Sequence, residues 1–155
     1  GVRIHGRADR IDSLPDGSLG IVDYKTGQPP TRKLVREGYS LQLGLLGMIA
    51  ADSGFAGIHG TPAEFEYWSL AKNKDGGLGY VQTATASGRS AGIAKEDFVA
   101  ATREFLADAL DRWILGSDPF TARLNPDLAG YADYDQLMRL DEWLPNMSRA
   151  DWEEA

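Results

Sequence analysis

The sequence predicts a single α/β domain, and three observations predict it. Two strand-like runs flank a turn signal near the start, and a leucine-rich helical run follows them. A second pair of strand-like runs then precedes a long amphipathic helical pattern. The order strand, strand, helix, strand, strand, helix implies a mixed β-sheet flanked by helices.

Val2-Arg3-Ile4 through Ile11 reads as the first strand and Leu19-Gly20-Ile21-Val22 as the second, with Pro15-Asp16-Gly17 as the hairpin turn between them. Pro29 and Pro30 then end the extended run, and Thr31 is placed to cap a short turn over Leu34–Glu37 that Gly38 interrupts. Tyr39, Leu41, Leu43, Leu45, Leu46, Met48 and Ile49 read as a largely buried helix ending near Asp52-Ser53-Gly54. Ala63–Leu70 alternates acidic and aromatic residues and so reads as a half-buried strand. Lys72–Gly79 is a turn, Tyr80–Thr83 returns as a strand, and Gly88–Ala91 is loop. Lys95–Leu115 carries Phe98, Phe105, Leu106, Ala109, Leu110, Trp113 and Ile114 on one side, and Gly116-Ser117-Asp118-Pro119 stops it. Apolar residues from Phe120 to Trp143 are expected to pack back across the core, so the domain is drawn as 1–143, with 144–155 a frayed acidic tail. Trp68, Trp113 and Trp143 fall in apolar patterns and are expected in the core.

A chain of 155 residues with 43% hydrophobic content and four tryptophans can bury a core. No apolar run approaches the ~20 residues of a membrane span, and no basic-then-apolar leader opens the sequence. A start directly in a strand reads as a fragment of a longer protein, with a cytoplasmic location as the default. Cysteine is absent, which excludes disulfides, thiolate nucleophiles and cysteine-ligated zinc or iron–sulfur centres. The net charge of −7 argues against a strong nucleic-acid binder, but its distribution is uneven. Residues 1–45 hold seven Lys/Arg against five Asp/Glu, whereas residues 116–155 hold three against nine. The first third is therefore the part suited to a polyanion.

That third also carries the candidate chemistry. The hairpin folds Asp23 back beside Asp9, and two adjacent carboxylates repel unless a positive group lies between them. A divalent cation with a preference for oxygen ligands, Mg²⁺ or Mn²⁺, answers this. Lys25 shares the side-chain parity of Asp23 and so points to the same place. Two Asp and a Lys on adjacent strands suit metal-assisted attack on a phosphodiester. His5 shares the parity of Asp9, but a strand histidine is more often structural, and His59 lies in a loop between glycines. Arg7, Arg10, Lys33 and Arg36 are the nearby cations that could contact DNA phosphates, with solvated charge as the alternative. No serine elbow, Walker phosphate loop or dinucleotide-binding glycine pattern is present.

Gly6-Arg7-Ala8-Asp9, Ile21-Val22-Asp23-Tyr24-Lys25-Thr26-Gly27 and Gln42-Leu43 resemble the PD-(D/E)xK nuclease superfamily in its RecB-like branch. Gly27-Gln28-Pro29-Pro30, Tyr39–Leu43, Tyr134-Asp135-Gln136-Leu137 and Glu142-Trp143 narrow the resemblance to the C-terminal nuclease domain of AddB-type subunits. The resemblance implies a restriction-endonuclease-like core whose N-terminal helix this sequence lacks. It implies Asp9 and Asp23 as metal ligands joined by the main-chain carbonyl of Tyr24, with Lys25 and Gln42 as further catalytic residues. It also implies a His or Glu ligand on a helix ahead of the first strand, and a tyrosine four residues after the glutamine, where Leu46 stands here. Some relatives hold an iron–sulfur cluster that this cysteine-free chain cannot ligate. The implied activity is a Mg²⁺-dependent DNA exonuclease acting on single-stranded DNA beside an AddA-like helicase-nuclease subunit, without a membrane. The alternatives are a non-cutting module that binds DNA or scaffolds its partner, and a stand-alone RecB-like exonuclease.

Overall fold

The computed structural model describes residues 1–73, 75–86 and 91–119. They divide into two units, one over Gly1–Ala107 and one from Asp108 onward. The first holds a four-stranded sheet in the order β1-β2-β3-β4, with β1 Arg10–Ser13, β2 Leu19–Lys25, β3 Pro62–Lys72 and β4 Leu78–Thr83. β1 pairs antiparallel with β2, β2 parallel with β3, and β3 antiparallel with β4, so the sheet is mixed. A parallel pair needs a crossover. Here α1 (Arg32–Arg36) and α2 (Gln42–Ala51) supply it.

The hairpin turn forms where Pro15-Asp16-Gly17 predicts it. Gly17 takes a φ of 83°, and Asp16 Oδ1 accepts from the Ser18 amide at 2.9 Å and the Ser18 hydroxyl at 2.6 Å. Those two bonds hold the Asp16 carboxyl below its ordinary range. The first strand is shorter than its pattern suggests: Gly1–Ala8 is not strand, and pairing begins only at Arg10, opposite Val22. This removes the strand parity that set His5 beside Asp9. His5 is exposed, as is His59. Ahead of the strand, Gly6 lies against α2, where an added Cβ would stand 3.3 Å from Leu46 Cδ2.

α1 is capped by the Thr31 hydroxyl, which accepts from the Leu34 amide at 3.3 Å. It ends before Gly38, whose φ of 80° suits glycine. α2 begins at Gln42 rather than Tyr39, which stays exposed. The helix is apolar almost all round, as a helix covered on several sides should be. It packs over β2 and β3, and Gly44 and Gly47 let it approach its neighbours closely. An added Cβ at Gly44 would overlap the Thr102 hydroxyl, and one at Gly47 would lie 2.6 Å from Phe65 Cε1. The core beneath is built from Leu19, Ile21, Val35, Leu43, Leu46, Phe65, Tyr67 and Phe98.

Beyond β4, the third helix begins at Phe98 rather than Lys95 and runs to Ala109 as α3. Leu110–Ile114 continues as a π-helical turn in the second unit, where Arg112 pairs with Asp118 at 2.8 Å. Trp68 corrects the expectation of a core residue. It is half-buried on the sheet face away from Tyr67, edge-on to Tyr24 at 5.9 Å, with the Arg10 guanidinium 4.8 Å from its ring centroid. Trp113 is also only half-buried. Trp143, the loop residues 87–90 and the tail from Phe120 on lie outside the described residues.

Candidate active site

Alternation along β2 places Ile21, Asp23 and Lys25 on the face covered by α2, and Tyr24 on the other. Asp23 is only 2% exposed in a neighbourhood of Ile21, Leu43 and Tyr67. A buried carboxylate needs partners. It has two. Gln42 Nε2 donates to Asp23 Oδ1 at 2.6 Å, and Lys25 Nζ lies 2.7 Å from Asp23 Oδ2. Lys25 Nζ also donates to Gln42 Oε1 at 2.9 Å, so Asp23, Lys25 and Gln42 close into a ring of polar contacts. The end of β2 and the first residue of α2 are thereby fastened together.

Asp9 stands one residue before the paired part of β1. Since Arg10 is opposite Val22, this sets it level with Asp23. Its Oδ2 accepts from the Tyr24 amide at 3.0 Å, which ties it to the residue between Asp23 and Lys25. Asp9 itself is exposed. Tyr24 turns its ring outward, with its hydroxyl 3.4 Å from Arg10 Nη1.

The turn after Lys25 is held from several directions. Ser69 Oγ, on β3 opposite Lys25, donates to the Gly27 carbonyl at 2.8 Å. Tyr80 donates to Gln28 Oε1 at 2.6 Å, and Gln82 Nε2 to the Pro30 carbonyl at 2.7 Å. Arg32 reaches back to the Thr83 carbonyl at 3.2 Å. Sequence reasoning passed over Ser69, Tyr80 and Gln82, because their significance depends on which strand lies next to β2.

Tyr67 is the other residue it missed. Its Cα is opposite Asp23, its side chain is fully buried, and Lys25 Nζ lies 5.6 Å from its ring centroid. Burial holds the phenol above its ordinary range, and the neighbouring Ser40 side chain offsets this only in part. The hydroxyl makes no aligned hydrogen bond among the described residues.

Of the four cations near the site, Arg10 is paired with Asp12 at 2.8 Å and Arg36 with Glu37 at 2.6 Å. Arg7 and Lys33 are exposed and form no ion pair among the described residues.

The model of the PD-(D/E)XK nuclease superfamily matches residues 1–130, most of the chain. The chain belongs to the PD-(D/E)XK nuclease superfamily. Its mixed four-stranded sheet with flanking helices is consistent with the restriction-endonuclease-like fold expected of that membership. Among curated relatives, an uncharacterized protein of Rickettsia conorii is 39% identical over 54 residues, covering 35% of this chain and 6% of that protein. A subunit of the ATP-dependent helicase/deoxyribonuclease of Streptococcus uberis is 67% identical over 27 residues, covering 17% of this chain and 2% of that protein. The chain thus spans only a small part of the length of these relatives. No solved structure matches it significantly.

Nucleases of the PD-(D/E)XK superfamily generally use divalent metals, and the residues here fit a hard cation. Every candidate donor is oxygen. Asp23 Oδ2 is buried and accepts no aligned hydrogen bond, its Lys25 contact being an ion pair, and only one Asp9 oxygen is committed. Among the described residues, no three His, Cys, Asp or Glu side chains converge on one point. The described residues bring two candidate carboxylates, Asp9 and Asp23, to this end of β2. Among the described residues, no helix is long and apolar enough to cross a membrane.

Proposed function

We propose that this domain is a Mg²⁺-dependent deoxyribonuclease that hydrolyses phosphodiester bonds of single-stranded DNA within an AddAB-type helicase-nuclease. The observation that carries the reading is the closed ring of Asp23, Lys25 and Gln42 with Asp9 at its side. Asp9, Asp23 and the Tyr24 carbonyl would hold the ion. Bound there, a divalent cation would polarise the scissile phosphate and lower the pKa of a water. Lys25 brings an ammonium to the position where negative charge develops, and Gln42 holds that ammonium and the Asp23 carboxylate in register. Arg7 and Lys33, exposed and without an ion pair among the described residues, are the better placed of the four cations for backbone phosphates.

The assignment to an AddAB-type complex is supported by the short match to a helicase/deoxyribonuclease subunit. In that setting an AddA-like partner delivers the strand, which an acidic domain of net charge −7 does poorly alone. Double-strand break repair in the cytoplasm is the corresponding role, and exonucleolytic action the corresponding mode.

Cleavage of single-stranded DNA with Mg²⁺ should be lost in Asp23→Ala and Lys25→Ala. Equal activity in those variants would overturn the assignment. The acidic stretch 116–155 favours a second reading, a module that binds its partner without cutting. Calorimetry separates the two, since a scaffold shows no Mn²⁺ binding that depends on Asp9 and Asp23.

A further inference from the structure

Lys25 faces three groups: Asp23 Oδ2 at 2.7 Å, Gln42 Oε1 at 2.9 Å and the Tyr67 ring at 5.6 Å. The first of these cannot hold it throughout the proposed reaction. A divalent cation on Asp23 competes for the same carboxylate and repels the ammonium. A lysine has a flexible four-carbon stem, so a single hydrogen bond from Gln42 leaves the ammonium free to swing. An aromatic face attracts a cation within about 6 Å without competing for metal.

We infer that Tyr67 is a positioning residue for Lys25, its ring being the neutral anchor that keeps the ammonium at the site when Asp23 is engaged by metal. The inference deepens the nuclease reading and rests on it for its kinetic arm only. Three features make the ring a fixed platform. It is fully buried, its backbone lies in a central strand between Asp23 on β2 and Gln82 on β4, and Phe65 precedes it on the same face. The role belongs to the ring, since it is the ring that Lys25 Nζ overlies, while the hydroxyl's polar neighbour is the Ser40 side chain.

Tyr67→Phe and Tyr67→Leu test it. In the metal-free, DNA-free protein, the Lys25 Cε methylene protons should resonate upfield of the other lysines through the ring current. A Lys25→Arg spectrum assigns them. The displacement should persist in Tyr67→Phe and vanish in Tyr67→Leu. In cleavage assays Tyr67→Leu should lower kcat by roughly three- to thirty-fold, the range expected of a cation–π contact. KM and Mn²⁺ affinity should stay unchanged, and Tyr67→Phe should restore the rate.

An unshifted Lys25 methylene in the wild-type protein overturns the inference, and that result does not depend on any variant folding. Tyr67→Phe impaired as severely as Tyr67→Leu overturns it as well. A wild-type protein that shifts Lys25 but does not cut DNA refutes the nuclease reading and leaves the Lys25–Tyr67 contact established.

Discussion

Gln42 donates its side-chain amide to Asp23 at 2.6 Å while the same amide accepts from Lys25 at 2.9 Å. One group thus serves both a buried carboxylate and its counter-ion, across 19 residues of sequence. An amide does this without charge, since it offers both donor and acceptor. A carboxylate there would face Asp23 with no proton between them.

Gln42→Ala should therefore weaken Mn²⁺ binding by about 10- to 100-fold, as loss of a group that orients a ligand does. Gln42→Glu, despite its matching shape, should lower the urea midpoint of the metal-free protein, because it sets two carboxylates together at a buried position. Titration calorimetry with Mn²⁺ checks the first expectation and urea unfolding the second. Unchanged Mn²⁺ binding by Gln42→Ala would show that the amide is dispensable.

Asp9 separates structural from ligand roles. Its Oδ2 accepts from the Tyr24 amide at 3.0 Å, and an asparagine oxygen can accept the same bond. Asp9→Asn should leave unfolding stability within about 0.5 kcal/mol of wild type. It should still weaken Mn²⁺ binding by at least about tenfold, since a hard cation responds to ligand charge. Urea unfolding and calorimetry on one preparation give both values, and undiminished Mn²⁺ affinity would remove Asp9 from the metal shell.

The parts of this arrangement that were legible in sequence are those set by local rules. The hairpin turn, the Thr31 cap and the parity of Asp23 with Lys25 each follow from a few adjacent residues. The parts that were not legible depend on long-range pairing. Val2–Ile4 has strand composition, but nothing in the sheet continues to receive it beyond Arg10. Trp68 sits in an apolar pattern, yet its strand turns it to the face opposite Tyr67, where Arg10 and Tyr24 cover it only partly. Ser69 and Tyr67 became part of the site only once β3 was seen to lie parallel to β2, in a register that sets them opposite Lys25 and Asp23.

Ser69 gives the third prediction. It is 2% exposed, donates to the Gly27 carbonyl at 2.8 Å and accepts from the Ala71 amide at 3.0 Å. Ser69→Ala strips both groups of their partner; Gly27 is exposed and Ala71 half-buried, so each loss is that of an ordinary hydrogen bond, about 0.5–1.5 kcal/mol. The turn that follows Lys25 should loosen with it, so cleavage should fall more than Mn²⁺ affinity. Hydrogen exchange at the Ala71 amide should accelerate, and an unchanged exchange rate would show that the bond carries no weight.

Gly44 tests the packing that sets Gln42 over the strand. Replacing a helical glycine by alanine ordinarily favours the helix, by at most about 1 kcal/mol for one in the first turn. At Gly44 the new Cβ would overlap the Thr102 hydroxyl and press on the Thr102 methyl at 3.0 Å. Thr102 is fully buried, and its hydroxyl donates to the Phe98 carbonyl at 2.8 Å, so it cannot simply swing away. Overpacking of a closed core costs about 1–3 kcal/mol, which outweighs the helical gain. Gly44→Ala should therefore lower the urea midpoint, and Thr102→Ala, which removes both the hydroxyl and the methyl, should recover part of the loss in the double variant. Mn²⁺ affinity should follow the same order, because a displaced α2 carries Gln42 away from Asp23. A Gly44→Ala protein at least as stable as wild type would mean that α2 and α3 do not meet through Gly44 and Thr102.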